Sequence, residues 1–172
     1  MRDMRLALLL TALTAAAQEP QYAGKAVLKL PANYREWYFI GSNLGISYSP
    51  EPTKDQFFKN MYIPKAAAEV FRKTGKFPEK TMIVMEIYKP ETKASPAKHG
   101  QFEGAFVGVE VAVKDKTAVD EGWAYYNFID KPGKMLPTAK AAGKQACWNC
   151  HNEHGAADNT FVQFYPRLRD KE

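Results

Sequence analysis

The chain has two cysteines, and they stand three positions apart with a histidine directly after the second: Cys147-Trp148-Asn149-Cys150-His151. A disulfide across so short a gap is strained and oxidising, and suits redox exchange better than structural stapling. A redox C-x-x-C usually heads a helix after a strand in a thioredoxin-like context, which the flanking sequence lacks. A zinc site needs two further ligands, and only His99 and His154 remain among the histidines. The C-x-x-C-H spacing is that of c-type haem attachment. Two thiols add across the two haem vinyl groups, and the next histidine is thereby placed beneath the iron as proximal ligand. One motif implies one haem c, covalently held by Cys147 and Cys150 with its iron on His151. His154 then reads as solvent-facing or propionate-contacting, and His99, in a Lys98-His99-Gly100 loop, as exposed.

Haem attachment of this kind takes place outside the cytoplasm, and the N-terminus is consistent with export. Arg2 and Arg5 precede an apolar stretch at residues 6–16, and Ala15-Ala16-Ala17 offers small residues for cleavage. The stretch is shorter than the roughly 20 residues of a spanning helix. Residues 1–17 therefore read as a signal peptide, with an uncleaved anchor as the alternative. Residues 18–172 read as one domain that is periplasmic and free of the membrane after cleavage. Losing two arginines and one aspartate takes the formal charge from +5 to +4. Two haem propionates would lower it by about two more. The lysines are scattered rather than clustered, which gives no case for nucleic acid. A soluble acidic partner is compatible with this mild charge, and the partner expected of a cytochrome is a soluble redox protein such as another cytochrome.

Along the chain, residues 33–38 read as a short helix capped by Asn33, followed by a strand at residues 38–41. Residues 64–74 form a helix with Pro64 in its first turn and Gly75 ending it. The β-branched, apolar run 81–88 is a buried strand and 90–100 a loop. Phe102–Lys114 is the clearest strand, with residues 122–129 as its hairpin partner. Residues 136–147 read as helix, and 159–168 include a second short helical piece; the tail, 170–172, reads as frayed. The fold class is α+β with a substantial sheet, flanking helices and a C-terminal helical segment carrying the haem motif. Alternation in the long strand places Ala105, Val107, Val109, Val111 and Val113 on one face. Phe106, Gly108, Glu110 and Ala112 fall on the other. Glu110 is either a carboxylate on a wall beside the macrocycle or a solvated residue on an exposed sheet face.

The haem motif sits in a wider pattern. Leu30-Pro31-Ala32-Asn33-Tyr34-Arg35-Glu36-Trp37 leads, then Thr74-Gly75-Lys76-Phe77, the run from Gly108 through Asp115, and Gly122-Trp123-Ala124-Tyr125-Tyr126. Phe161-Val162-Gln163-Phe164-Tyr165-Pro166 trails it. With these segments the chain resembles the cytochrome P-460 family and its relatives, the sheet-rich cytochromes c′-beta. The resemblance implies a predominantly antiparallel sheet, a homodimer, and a five-coordinate haem open on its distal side. P-460 members oxidise hydroxylamine or react with nitric oxide, and a lysine is covalently joined to their haem edge. The cytochromes c′-beta lack that crosslink and bind small gases.

The resemblance puts the crosslinking position at Met85, and methionine has no amine to join to the haem. Lys80 and Lys89 are near in sequence, but Lys89 lies about 13 Å further along the strand. Met85 reads as a space-filling residue at the haem edge, or else as an axial thioether ligand. The resemblance also makes Glu110 a distal acid, accepting a proton or hydrogen bond from a nitrogenous ligand. Phe57, Phe58 and Phe106 are candidates for distal packing or for ordinary core aromatics. Trp148 reads as a motif spacer packed on the haem surround. The expected function is a mono-haem protein that binds or reacts with nitric oxide or hydroxylamine-type species. A hydroxylamine or nitric oxide oxidoreductase and a six-coordinate electron-transfer cytochrome are the alternatives.

Overall fold

The computed structural model describes residues 18–47, 56–94, 96 and 98–169. Residues 1–17, expected to be a signal peptide, and the tail 170–172, expected to be frayed, lie outside the described residues. The elements in chain order are β1 (Tyr22–Gly24), β2 (Val27–Lys29), β3 (Tyr38–Leu44), β4 (Phe58–Ile63), α1 (Lys65–Thr74), β5 (Met82–Glu91), β6 (Phe102–Lys114), β7 (Trp123–Asn127), β8 (Ile129–Lys131), β9 (Lys134–Met135), β10 (Thr138–Lys140), α2 (Trp148–His154) and α3 (Pro166–Arg169). Single 3-10 turns lie at Tyr34–Glu36 and Val162–Phe164.

Among the described residues the strands form three antiparallel sheets, so the α+β class with a mostly antiparallel sheet holds. The main sheet has the order β3-β4-β5-β6-β7, and β6, the longest strand, pairs with β5 on one side and β7 on the other. It is buried on both faces. One face packs Val84, Val109, Val111 and Tyr126 against Trp37 and the small β1-β2-β10 sheet, through Leu28 and Ala139. The other packs Ile40, Met61, Ile83 and Trp123 against α1 (Ala68, Phe71) and the C-terminal residues Val162 and Leu168. The second face carries the cavity described below.

Helix α1 matches its expected bounds. Gly75 ends it at φ 71, where its N–H bonds to Phe71 O, a left-handed position that suits glycine. Asn33 stands at φ 53 with no side-chain cap bond, and only a three-residue 3-10 turn follows it. The helix expected at residues 136–147 is not formed. Thr138–Lys140 instead pairs with β2, Tyr126 bridges to Ala141, and the helix begins only at Trp148. The alanines there favour helix locally, but Ala139 gains more by burial opposite Leu28 in the sheet. Pro137, whose carbonyl accepts from Leu30 N–H, suits the turn into that strand. Strand β5 runs to Glu91, three residues beyond expectation, and β4 was not foreseen.

Candidate haem-binding site

Spacing alone does much of the placing here. Residues four apart on a helix share a face, and the His151 N–H bonds to Cys147 O at 3.1 Å. Cys147, Cys150 and His151 thus project from about one turn at the start of α2, and both thiols are free. They border a cavity of about 500 Å³ between the second face of the main sheet and the C-terminal segment; Cys147 and His151 line it.

His151 is oriented by three contacts. Its Nδ1 lies 3.0 Å from the Asn159 backbone oxygen. Its ring packs 4.1 Å from that of Tyr125 and 4.3 Å from that of Phe161. A carbonyl can only accept, so Nδ1 carries the proton and Nε2 presents its lone pair. Burial lowers the pKa of the ring, against a smaller opposing effect of the Asn159 bond, so the imidazole is held neutral. A neutral imidazole with its second nitrogen tied to a carbonyl is the form that ligates a metal. Burial also raises the Cys147 thiol, with Glu110 and Cys150 adding to the effect.

The opposite wall is a cross-strand rank. Met61 pairs with Met85, Met85 with Glu110, and Glu110 with Asn127, and all four line the cavity. Side chains directly opposed in this way stand about 5 Å apart at Cβ. Burial raises the pKa of Glu110, and Lys59 opposes that rise. Lys59 also lines the cavity, donates to Ile46 O at 3.1 Å, and has its own pKa lowered by burial. Asn43, cross-strand from Lys59, borders the cavity as well, with its Oδ1 buried and without a hydrogen-bond partner.

The cavity therefore brings together Cys147, His151, Met85 and Glu110, with Cys150 on the same helical turn. Phe106 is not among its lining residues. Ile87 pairs with Gly108 but the next residue, Tyr88, pairs with Phe106, so β6 bulges by one residue at Val107. A bulge reverses side-chain parity. Phe106 consequently joins the first core face, 5.4 Å from the Tyr88 ring and 5.8 Å from the Arg35 guanidinium. Phe57 and Phe58 do not line the cavity either. Its aromatic lining comes from β7 and the C-terminal segment, including Tyr125, Phe161 and Tyr165. Lys80 is drawn off to Asp115 at 2.6 Å, and Lys89 is not at the cavity. His99 and His154 are exposed. Trp148 packs against the second core, with the Lys144 ammonium 4.5 Å from its ring centre. Lys59 and Met61 were missed because β4 was not recognised; the alternation Lys59, Met61, Ile63 would have been the signal.

These residues fit an iron porphyrin. The Cys147 thiol and a neutral imidazole line one largely apolar cavity, the second free thiol, Cys150, lies on the same helical turn, and a haem iron needs only one protein ligand. Among the described residues no group of three or more His, Cys, Asp and Glu side chains could hold a bare metal ion. Among the same residues no helix is long and apolar enough to cross a membrane. No curated protein matches the chain significantly. The family model described as Cytochrome P460 matches residues 31–162, which span the main sheet, most of the cavity wall and the C-x-x-C-H turn.

Proposed function

This chain belongs to the cytochrome P460 family and is a c-type cytochrome; we propose that it carries one covalent haem and uses it to bind or react with nitric oxide or hydroxylamine-type species. The observation that carries the proposal is a single cavity lined by both a neutral His151, whose Nδ1 is tied to the Asn159 carbonyl, and a desolvated carboxyl at Glu110. Cys147 and Cys150 would hold the group through thioethers, and His151 would hold its iron. When bound, the haem iron supplies coordination and electron transfer for a small ligand.

The chain's own residues do the rest. Glu110, raised in pKa by burial, holds a proton closer to working pH than an exposed carboxylate would, and can pass it to or take it from a ligand N–H or O–H. Met85 stands directly beside it across the strands, with Met61 next in the rank, and their apolar side chains keep water from that part of the wall. With methionine at position 85 there is no amine at the expected crosslink position, which favours ligand binding over the oxidase activity associated with that crosslink. Residues 1–17 and the resemblance support export to the periplasm, the resemblance alone supports a homodimer, and a haem that exchanges electrons calls for a soluble redox partner.

Spectra of the purified oxidised and reduced holoprotein test this, followed by titration with nitric oxide. The expected result is a high-spin, five-coordinate haem c that takes up one nitric oxide per chain. Since Met85 lines the cavity, the rival state is a six-coordinate His/Met centre. A low-spin spectrum lost on Met85→Ala would establish that rival and sink the open-site proposal. If the protein turns over hydroxylamine, Glu110→Gln should slow it by about 10²-fold or more; unchanged turnover would remove Glu110 from proton transfer.

A further inference from the structure

Asp158 and Asn159 are consecutive non-glycine residues in the left-handed region, at φ 48 and 55. Such a conformation persists only where surrounding contacts hold it, and here they can be named. The Asp158 Oδ2 accepts from Lys114 Nζ at 2.7 Å and from the Phe77 N–H at 2.8 Å. Its Oδ1 accepts from Trp123 Nε1 at 3.5 Å. Lys114 is itself buried and donates a second bond, to Phe77 O at 2.8 Å. This clamp fixes a turn whose product is the direction of one carbonyl. The Asn159 oxygen faces the site and accepts two hydrogen bonds, from His151 Nδ1 at 3.0 Å and from Tyr125 Oη at 2.9 Å.

A carbonyl shared between two donors is a weaker acceptor for each of them. The strength of the Nδ1–H bond governs how much electron density an imidazole gives a metal at its other nitrogen. Resting on the reading that His151 ligates haem iron, we propose that Tyr125 is a positioning residue. By competing with His151 for the Asn159 carbonyl, it limits electron donation from the proximal ligand and raises the reduction potential. The Asp158–Lys114 clamp supplies the carbonyl for which the two compete. Ring packing between Tyr125 and His151 is a separate contribution, which phenylalanine at position 125 would preserve.

Tyr125→Phe in the holoprotein isolates the hydroxyl. The midpoint potential should move negative and the ferrous iron–histidine stretching frequency should rise, with little change in melting temperature. Asp158→Asn weakens the clamp, lets the carbonyl turn away, and should move both readouts in the opposite direction. Opposite shifts from two variants are not what general loosening produces. If Asp158→Asn does not fold, Tyr125→Phe decides alone. An iron–histidine stretch present in the wild type and unmoved in Tyr125→Phe, with an unmoved potential, overturns the tuning role only. Absence of that stretch from the five-coordinate ferrous wild type overturns His151 ligation, and the tuning role with it.

Discussion

At the scale of single residues, environment sorts groups that composition cannot distinguish. Three histidines are present; His99 and His154 are exposed, while His151 is packed between Tyr125 and Phe161 with its Nδ1–H donated to a backbone carbonyl. Glu110 is distinguished in the same way. Burial places its folded pKa above the ordinary carboxylate value. Between those two values the folded chain keeps a proton that the unfolded chain has lost, so stability falls as pH rises through that window. Glu110→Gln has nothing to ionise. It should melt higher than the wild type near pH 7, and the gap should close as pH falls below the ordinary carboxylate range. A gap of constant size in melting scans across that range would mean that Glu110 is not desolvated in the folded protein. The C-x-x-C-H turn could be read from spacing, because the motif is local in sequence. Glu110 could be placed on the opposite face from the valines by alternation, but not sorted between a wall and a solvated surface. Alternation puts Phe106 on the Glu110 face and the structure puts it on the other, since a one-residue bulge leaves no mark in the hydrophobic pattern.

At the scale of elements, β6 and α1 follow from their own sequences, with alternation in one and a proline start and glycine stop in the other. Strand β10 does not. Its segment reads as helix, and it becomes a strand because β2 offers an edge and Leu28 a burial partner. Leu28 is fully buried and sits where the small sheet meets the main sheet. Leu28→Ala should therefore cost about 2–5 kcal/mol in denaturant unfolding, the range for a buried leucine whose cavity cannot collapse. A loss below about 1 kcal/mol would mean the small sheet contributes little to the fold. Gly75→Ala probes backbone alone, because a Cβ there would meet nothing within 4 Å while φ is 71. It should cost about 1–2 kcal/mol by the same measurement.

For the whole molecule, the two faces of the main sheet divide structure from chemistry. The face toward the small sheet is closed by Tyr126, Trp37 and a buried Glu86, which accepts from Tyr34 Oη and Arg35 Nε, each at 2.6 Å. The other face leaves about 500 Å³ under the C-terminal segment, enough for a bound group. Blocking attachment with Cys147→Ala and Cys150→Ala should thus loosen the C-terminal segment more than the sheet. Limited proteolysis is expected to cut first within residues 142–165, with the main sheet surviving longer; first cuts within β5 or β6 would show instead that the sheet depends on the haem. From sequence alone came the haem motif, the long central strand, the helix before it and the α+β class, all carried by local periodicity, capping or motif spacing. Tertiary structure decided which segment completes the small sheet, the rank of Met61, Met85, Glu110 and Asn127 along the cavity wall, and the carbonyl that orients His151. Each of these depends on pairing or packing between residues distant in the chain, to which local preference is blind.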